Sequence, residues 1–286
     1  MSQAPSPGPW VDPEIVDPRP WACHEGIVKF IEFPVRLPAM SRRAFHLYWQ
    51  RHHSPHVMNA TGFAQFMRKY VTTHAFPEAL PGLPPHYRQV AAFEGAAEVW
   101  IASLREVFSW LSHPLYAELI QPDEPRFIDA AGGVEVILAR EQRLFRAETD
   151  LEETDLVKVH ALYRRRPELT PPEFHERLAS IGSVLVAESS LRRHLRQFVI
   201  SHRLCDPYPE ELPPPPVDAV AEFWFEGRAQ ARAFFGEPAF AEVYGRVEQA
   251  LAAGGEVRAV ESKAHVVHDE YSFQSTVVQP RSFGWS

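Results

Sequence analysis

Histidine carries most of the chemistry this chain could do. His46, His52, His53 and His56 place four of its 14 histidines within eleven residues. An imidazole with an unperturbed pKa near ~6.5 gives and takes protons at neutral pH. His53 precedes Pro55, which is expected to end a helix, and a helix C-terminus favours imidazolium. Its bland alternative is a cap on the last carbonyls. His52 and His56 have the i, i+4 spacing of a helical metal pair, but Pro55 lies between them and no Glu completes an HExxH motif, so no metal is expected. His74 and His202 each close a strand ahead of a proline-rich loop, and His160 lies within a strand. Glu98 and Glu222 fall mid-strand beside Trp100 and Trp224. A carboxylate there could pair with a histidine and set its tautomer, or simply form a salt bridge. Tyr48, Trp49 and Trp100 belong to a crowd of aromatics, most of them core and a few able to line an apolar pocket.

Other chemistries lack their motifs. There is no GxGxxG, Walker loop, CxxCH or nucleophile elbow. Proton transfer without a cofactor is therefore the expectation. The 286 residues are 45% hydrophobic and 23% charged, enough to bury a core. A formal charge of −8 argues against nucleic acid and anionic membranes as partners. No apolar run of about 18 residues occurs, and residues 1–20 lack the basic start and apolar stretch of a secretory signal. The two cysteines, Cys23 and Cys205, form no CxxC. A cytoplasmic location is expected.

These residues sit on a repeated frame. Val28 to Ile31 corresponds to Val157 to His160, and Ser41 to His46 corresponds to Thr170 to His175, both 129 residues apart. Tyr70 to His74 recurs as Phe198 to His202, and Ala97 to Trp100 recurs as Ala221 to Trp224. Each copy reads β-α-β-β-α-β. Ser41 caps the first helix of one copy. Thr170, Pro171 and Glu173 supply cap, N1 proline and capping box in the other. The last strands are expected at 134–139 and 264–268. A single copy leaves one sheet face uncovered by helices, so two such faces should bury each other. The fold class expected is α+β: two ferredoxin-like repeats forming an intramolecular dimeric α+β barrel, with a ligand hollow between the sheets. The expected divisions are a Pro-rich segment 1–26, repeats 27–145 and 146–270, and a docking tail 271–286.

The motif Phe45-His46-x-Tyr48-Trp49-x-x-x-His53-x-Pro55 resembles the first helix of the EthD family. Tyr70-Val71-x-x-His74, Phe93 to Trp100, and Asp123-Glu124-x-x-Phe127-x-Asp129 are similar to its later blocks, in family order. The match spans about 27–142, with a weaker one at 156–269. The resemblance implies the dimeric α+β barrel superfamily, which holds cofactor-free cyclases, dehydratases, decarboxylases and monooxygenases as well as haem enzymes. It carries the family's recurring histidines onto His53 and His74. The second copy departs from the pattern: Trp49 becomes Leu178 and His53 becomes Gly182, so a helix-histidine site should exist in the first copy only. The family's Asp is here Glu94.

The resemblance and the absent motifs together imply a lyase-type enzyme with no cofactor acting on an apolar, aromatic or polyketide-like small molecule. His53 and His74 would be catalytic. Tyr48, Trp49, Glu98, Trp100, His160 and His202 would bind substrate. The alternatives are a cofactor-free or haem-dependent oxygenase, or a non-catalytic binding protein. A duplicated chain could close its barrel alone, so either a monomer or a homodimer is expected.

Overall fold

The computed structural model describes residues 26–148, 151–204 and 216–270. The Pro-rich start, the tail from Tyr271 and both cysteines lie outside them. The first copy contains β1 (Val28–Phe33), α1 (Arg42–Tyr48), α2 (Ser54–Asn59), α3 (Thr61–Ala64), β2 (Met67–Ala75), β3 (Tyr87–Gln89), β4 (Gly95–Ile101), α4 (Leu104–Leu111) and β5 (Glu135–Arg146). The second contains β6 (Val157–Tyr163), α5 (Pro171–Ala187), α6 (Ser189–Arg192), β7 (Gln197–Arg203), β8 (Ala219–Phe225), α7 (Arg228–Gly236), α8 (Pro238–Phe240), α9 (Arg246–Leu251) and β9 (Val257–Asp269). Ser41 Oγ accepts from the Ala44 N–H, and Thr170 with Glu173 forms the capping box, as their sequences foretold.

The expected fold class is corrected. The copies do not press two separate sheets together face to face. β5 pairs with β7 and β2 pairs with β9, so the order β2-β4-β1-β5-β7-β8-β6-β9 closes into one eight-stranded antiparallel barrel. Two separate sheets would leave open edges of unpaired N–H and C=O groups, whereas closure removes them. The two longest strands make the seams. β5 pairs with β1 through residues 135–139 and with β7 through 139–146. β9 pairs with β6 through 258–263 and with β2 through 262–269. Short β3 runs parallel to the start of β9.

The barrel interior is filled, as eight strands allow. At its middle Lys29 pairs with Glu222, while Lys158 Nζ lies 2.5 Å from Glu98 and 2.7 Å from Glu222. The repeat relates Lys29 to Lys158 and Glu98 to Glu222, so the pairs cross between copies. Burial lowers the Lys29 pKa, but the charges of Glu222, Glu98 and Glu141 outweigh it and raise it overall. Apolar plugs lie on either side of this charged layer: Ile31, Phe33, Val220 and Val260 in one, Val71, Leu156, Trp224 and Ala264 in the other. These side chains occupy the place where a ligand hollow was expected. Outside the barrel, α5 and its neighbours cover the second copy's strands through Phe174, Leu178, Phe198 and Phe223. Val57, Phe63, Val107 and Trp110 cover the first copy's strands. No helix among the described residues is long and apolar enough to cross a membrane.

Candidate functional site

The cavity lies outside the barrel wall, between the strands and helices of the first copy. Its volume is about 70 Å³ and it is partly open. Phe30 of β1, Tyr70 of β2 and Val99 of β4 form its floor. Trp49, His53, Trp110 and Phe127 form its roof and sides. Alternation along β1 explains the split: Phe30 and Glu32 face the cavity, while Lys29 and Ile31 face the barrel interior.

One irregular turn delivers His53. Helix α1 does not stop before Pro55. It passes through a π-helical turn, Trp49–His53, and continues as α2. The Ser54 N–H donates to Trp49 O, five residues back. Pro55 has no N–H to give an α-helical partner, and the wider turn absorbs the mismatch. The expectation that His53 sits at a helix C-terminus is thereby corrected, and its dipole argument for imidazolium falls. His53 is 7% exposed, and burial lowers its pKa despite the opposing pull of Asp123.

His53 forms a dyad with Asp123. Nδ1 donates to Asp123 Oδ2 at 2.9 Å, and Tyr48 Oη donates to Oδ1 at 2.5 Å. Burial would raise the Asp123 pKa, but the hydrogen bonds from Tyr48 and His53 prevail and hold it below the ordinary range. An ionised carboxylate only accepts, so Nδ1 carries the proton and Nε2 keeps its lone pair for the cavity. That is the arrangement of a neutral general base with its tautomer fixed.

Two further carboxyls line the same cavity. Burial, with the charge of Glu124 adding to it, pushes Glu32 up to about 7. Burial pushes Glu124 up to about 7 as well, although Tyr116 Oη donates to it at 3.2 Å. No Lys or Arg lines the cavity. Sequence reasoning missed Asp123, Glu32 and Glu124. Asp123 and Glu124 stood in a quoted motif without a role, and Glu32 looked like any strand residue.

The other expected site residues lie elsewhere. Trp49 lines the cavity, and Tyr48 reaches it through Asp123. His74 does not line it: its Nδ1 meets His46 Nδ1 at 2.8 Å, and His46 in turn lies 3.3 Å from Glu94. The pair recurs as His202 and His175 at 3.1 Å, so the same contact stands in both copies. Glu98, His160 and Trp100 face the barrel interior. His160 Nε2 donates to Glu98 at 2.7 Å, and Trp100 Nε1 donates to Glu141 at 3.1 Å. Glu98, His160 and Glu222 bring ligand atoms within 4.8 Å of one another, but the ammonium groups of Lys29 and Lys158 already neutralise that centre. The clustered histidines diverge: His52 points outward and His56 donates to Leu119 O.

The EthD domain model matches residues 37–131 and again residues 166–253. The chain belongs to the EthD family. No curated protein matches it. Among solved structures it is similar to an anthrone oxidase-like protein at 10% identity, with a TM-score of 0.56, covering 87% of this chain and 97% of that one. It is also similar to a candidate monooxygenase from Fusobacterium nucleatum at 8% identity, with a TM-score of 0.50, covering 85% and 94%. Identities this low show a shared fold and nothing more.

The position equivalent to His53 differs in the second EthD segment. Gly182 replaces His53 in an uninterrupted α5, and a Cβ there would lie 2.5 Å from Leu144 Cδ1. The π-helical turns Tyr116–Ile120 and Ala241–Gly245 lie 125 residues apart, and the same offset carries Asp123 onto Glu248. Glu248 is fully buried and accepts from Tyr87 at 2.9 Å and Tyr163 at 2.6 Å. Tyrosines thus bond the carboxyl at this position, where in the first copy Asp123 bonds His53. The first EthD segment's cavity does not fit a haem, because about 70 Å³ is less than the ~150 Å³ that takes one benzene ring.

Proposed function

We propose that this EthD chain is a small-molecule enzyme in which His53, oriented by Asp123, is the general base of a cofactor-free proton transfer. The observation that supports this most is the dyad itself: a buried neutral imidazole, tied through Nδ1 to an ionised carboxylate, with Nε2 left to an aromatic-walled cavity. Nε2 removes a proton from a carbon beside a carbonyl or similar activating group. The imidazolium formed is stabilised by Asp123 and returns the proton to another atom or to a leaving group. Dehydration and aldol-type ring closure share that step. The enclosed volume suits the reacting end of a small, largely apolar substrate, with any larger body reaching out through the mouth.

The likeness to an anthrone oxidase-like protein supports a second reading, in which the carbanion made by His53 reacts with dioxygen. Oxygen uptake separates the two. The shared step is tested by incubating small enolisable ketones with the protein in D2O and following C–H to C–D exchange by NMR. Exchange should be catalysed by the native chain and lost in His53→Ala. Equal exchange by both proteins would remove His53 from the mechanism.

A further inference from the structure

Glu32 and Glu124 are left over by a mechanism that needs only His53 and Asp123. Both line the cavity. Glu124 is held by Tyr116, but among the described residues no hydrogen bond or ion pair engages the Glu32 carboxyl. Several other buried carboxylates are matched by protein cations: Glu98 and Glu222 by two lysines, Glu261 by Arg228, Glu94 by Arg36 and Arg42; Glu248 is instead held by Tyr87, Tyr163 and His86. The cavity sets two carboxyls side by side without a protein cation in its lining. Around them stand the rings of Phe30, Trp49, Phe63, Trp110, Tyr116 and Phe127. Aromatic faces attract a cation that has shed its water, and carboxylates complete its charge.

We propose that this cavity recognises a ligand bearing one basic nitrogen as its ammonium ion, seated between the Glu32 and Glu124 carboxylates and the aromatic walls. This deepens the reading of the same site as that of an enzyme and rests on it, because it names the class of substrate: an amine whose reacting carbon is presented to His53. An entering ammonium supplies the missing counter-charge. By linkage it lowers both carboxyls from about 7 and drives out the protons they hold near neutrality. Recognition therefore strengthens as pH rises through that value and fades below it. A neutral ligand of the same shape gains nothing from that change.

Propylamine, 1-propanol and propionate differ in charge at nearly constant shape and carry no ring, which the enclosed volume of about 70 Å³ is too small to take. Propylamine stays protonated through the range of interest. Binding is followed by calorimetry, with quenching of tryptophan fluorescence as a second readout, since Trp49 and Trp110 line the site. At pH 8 propylamine should bind at least about tenfold more tightly than 1-propanol, and propionate should bind most weakly. The preference should shrink several-fold at pH 6. Glu32→Gln and, independently, Glu124→Gln should each reduce it several-fold, with melting curves confirming that both variants fold. Equal or tighter binding of 1-propanol at pH 8, a preference insensitive to pH, or no propylamine binding at all overturns the proposal. His53→Ala separates the two readings. It should abolish proton exchange yet keep the amine preference. Loss of the preference in the Gln variants while His53-dependent exchange persists in the native chain supports both.

Discussion

At the scale of single residues, the site is a contest between burial and partners. Burial lowers the His53 pKa, and the Asp123 carboxylate pulls against it. Removing that carboxylate must therefore lower it further. A general base works in its neutral form, so kcat/KM rises with pH as imidazolium disappears. Measured on a neutral enolisable ketone, whose binding does not draw on the charge of Glu32 and Glu124, the acidic limb of the native profile should lie below the ordinary ~6.5 of histidine. In Asp123→Asn it should move to still lower pH, and the plateau should fall about tenfold or more as the tautomer loses its anchor. A limb moving upward in Asp123→Asn would show that Asp123 does not act on His53. His53 was legible from its motif, but its environment was not. The proline that appeared to stop the helix instead widens one turn, and the change from helix end to buried wall reverses the expected sign of its pKa shift. Glu32 carried no local signal, because its meaning depends on which strand face looks into the cavity. His74 was read as chemical from a recurring motif. In the structure it contacts His46 away from the cavity, and His202 contacts His175 in the same way.

At the scale of elements, equivalent helices reach opposite outcomes. The helix bearing His53 opens at a π-helical turn, whereas α5 runs unbroken from Pro171 to Ala187 with Gly182 at the matching place. A Cβ at Gly182 would lie 2.5 Å from Leu144 and 3.1 Å from both Ile200 and Phe198, so those side chains would have to shift. Gly182→Ala gains helix propensity but overpacks the layer. The net cost should be about 1–3 kcal/mol, read as a fall in the urea midpoint. Leu144→Ala removes the closest obstacle at its own cavity cost. The double variant should then be less destabilised than the sum of the singles, by at least about 0.5 kcal/mol. Strict additivity would mean that Leu144 is not what crowds this position. The substitution of His53 by Gly182 was visible in the sequence, and it foretold the loss of the histidine. That Leu144 would crowd this position was not visible, because it comes from β5, a strand expected only over 134–139.

At the scale of the molecule, the repeat is joined by strand edges and by charge. Sequence periodicity disclosed two copies but not how they meet, because edge pairing depends on residues far apart in the chain. The long strands β5 and β9 each serve both copies, and only half of each was expected. Inside the closed barrel, Lys29 from the first copy meets Glu222 from the second, while Lys158 meets Glu98. A buried charge stripped of its partner costs about 3–5 kcal/mol, whereas deleting both members of a pair costs far less. Lys29→Met leaves Glu98 and Glu222 to share the single ammonium of Lys158, and should lower stability by about that amount. Lys29→Met with Glu222→Gln restores one lysine to one glutamate and should recover much of the loss. Urea titration with an unchanged m-value is the measurement, since a constant slope certifies that the same two-state transition is being compared. If the double variant proved as unstable as the two singles added together, Lys29 and Glu222 would not be coupled, and this pair would not help to join the two copies.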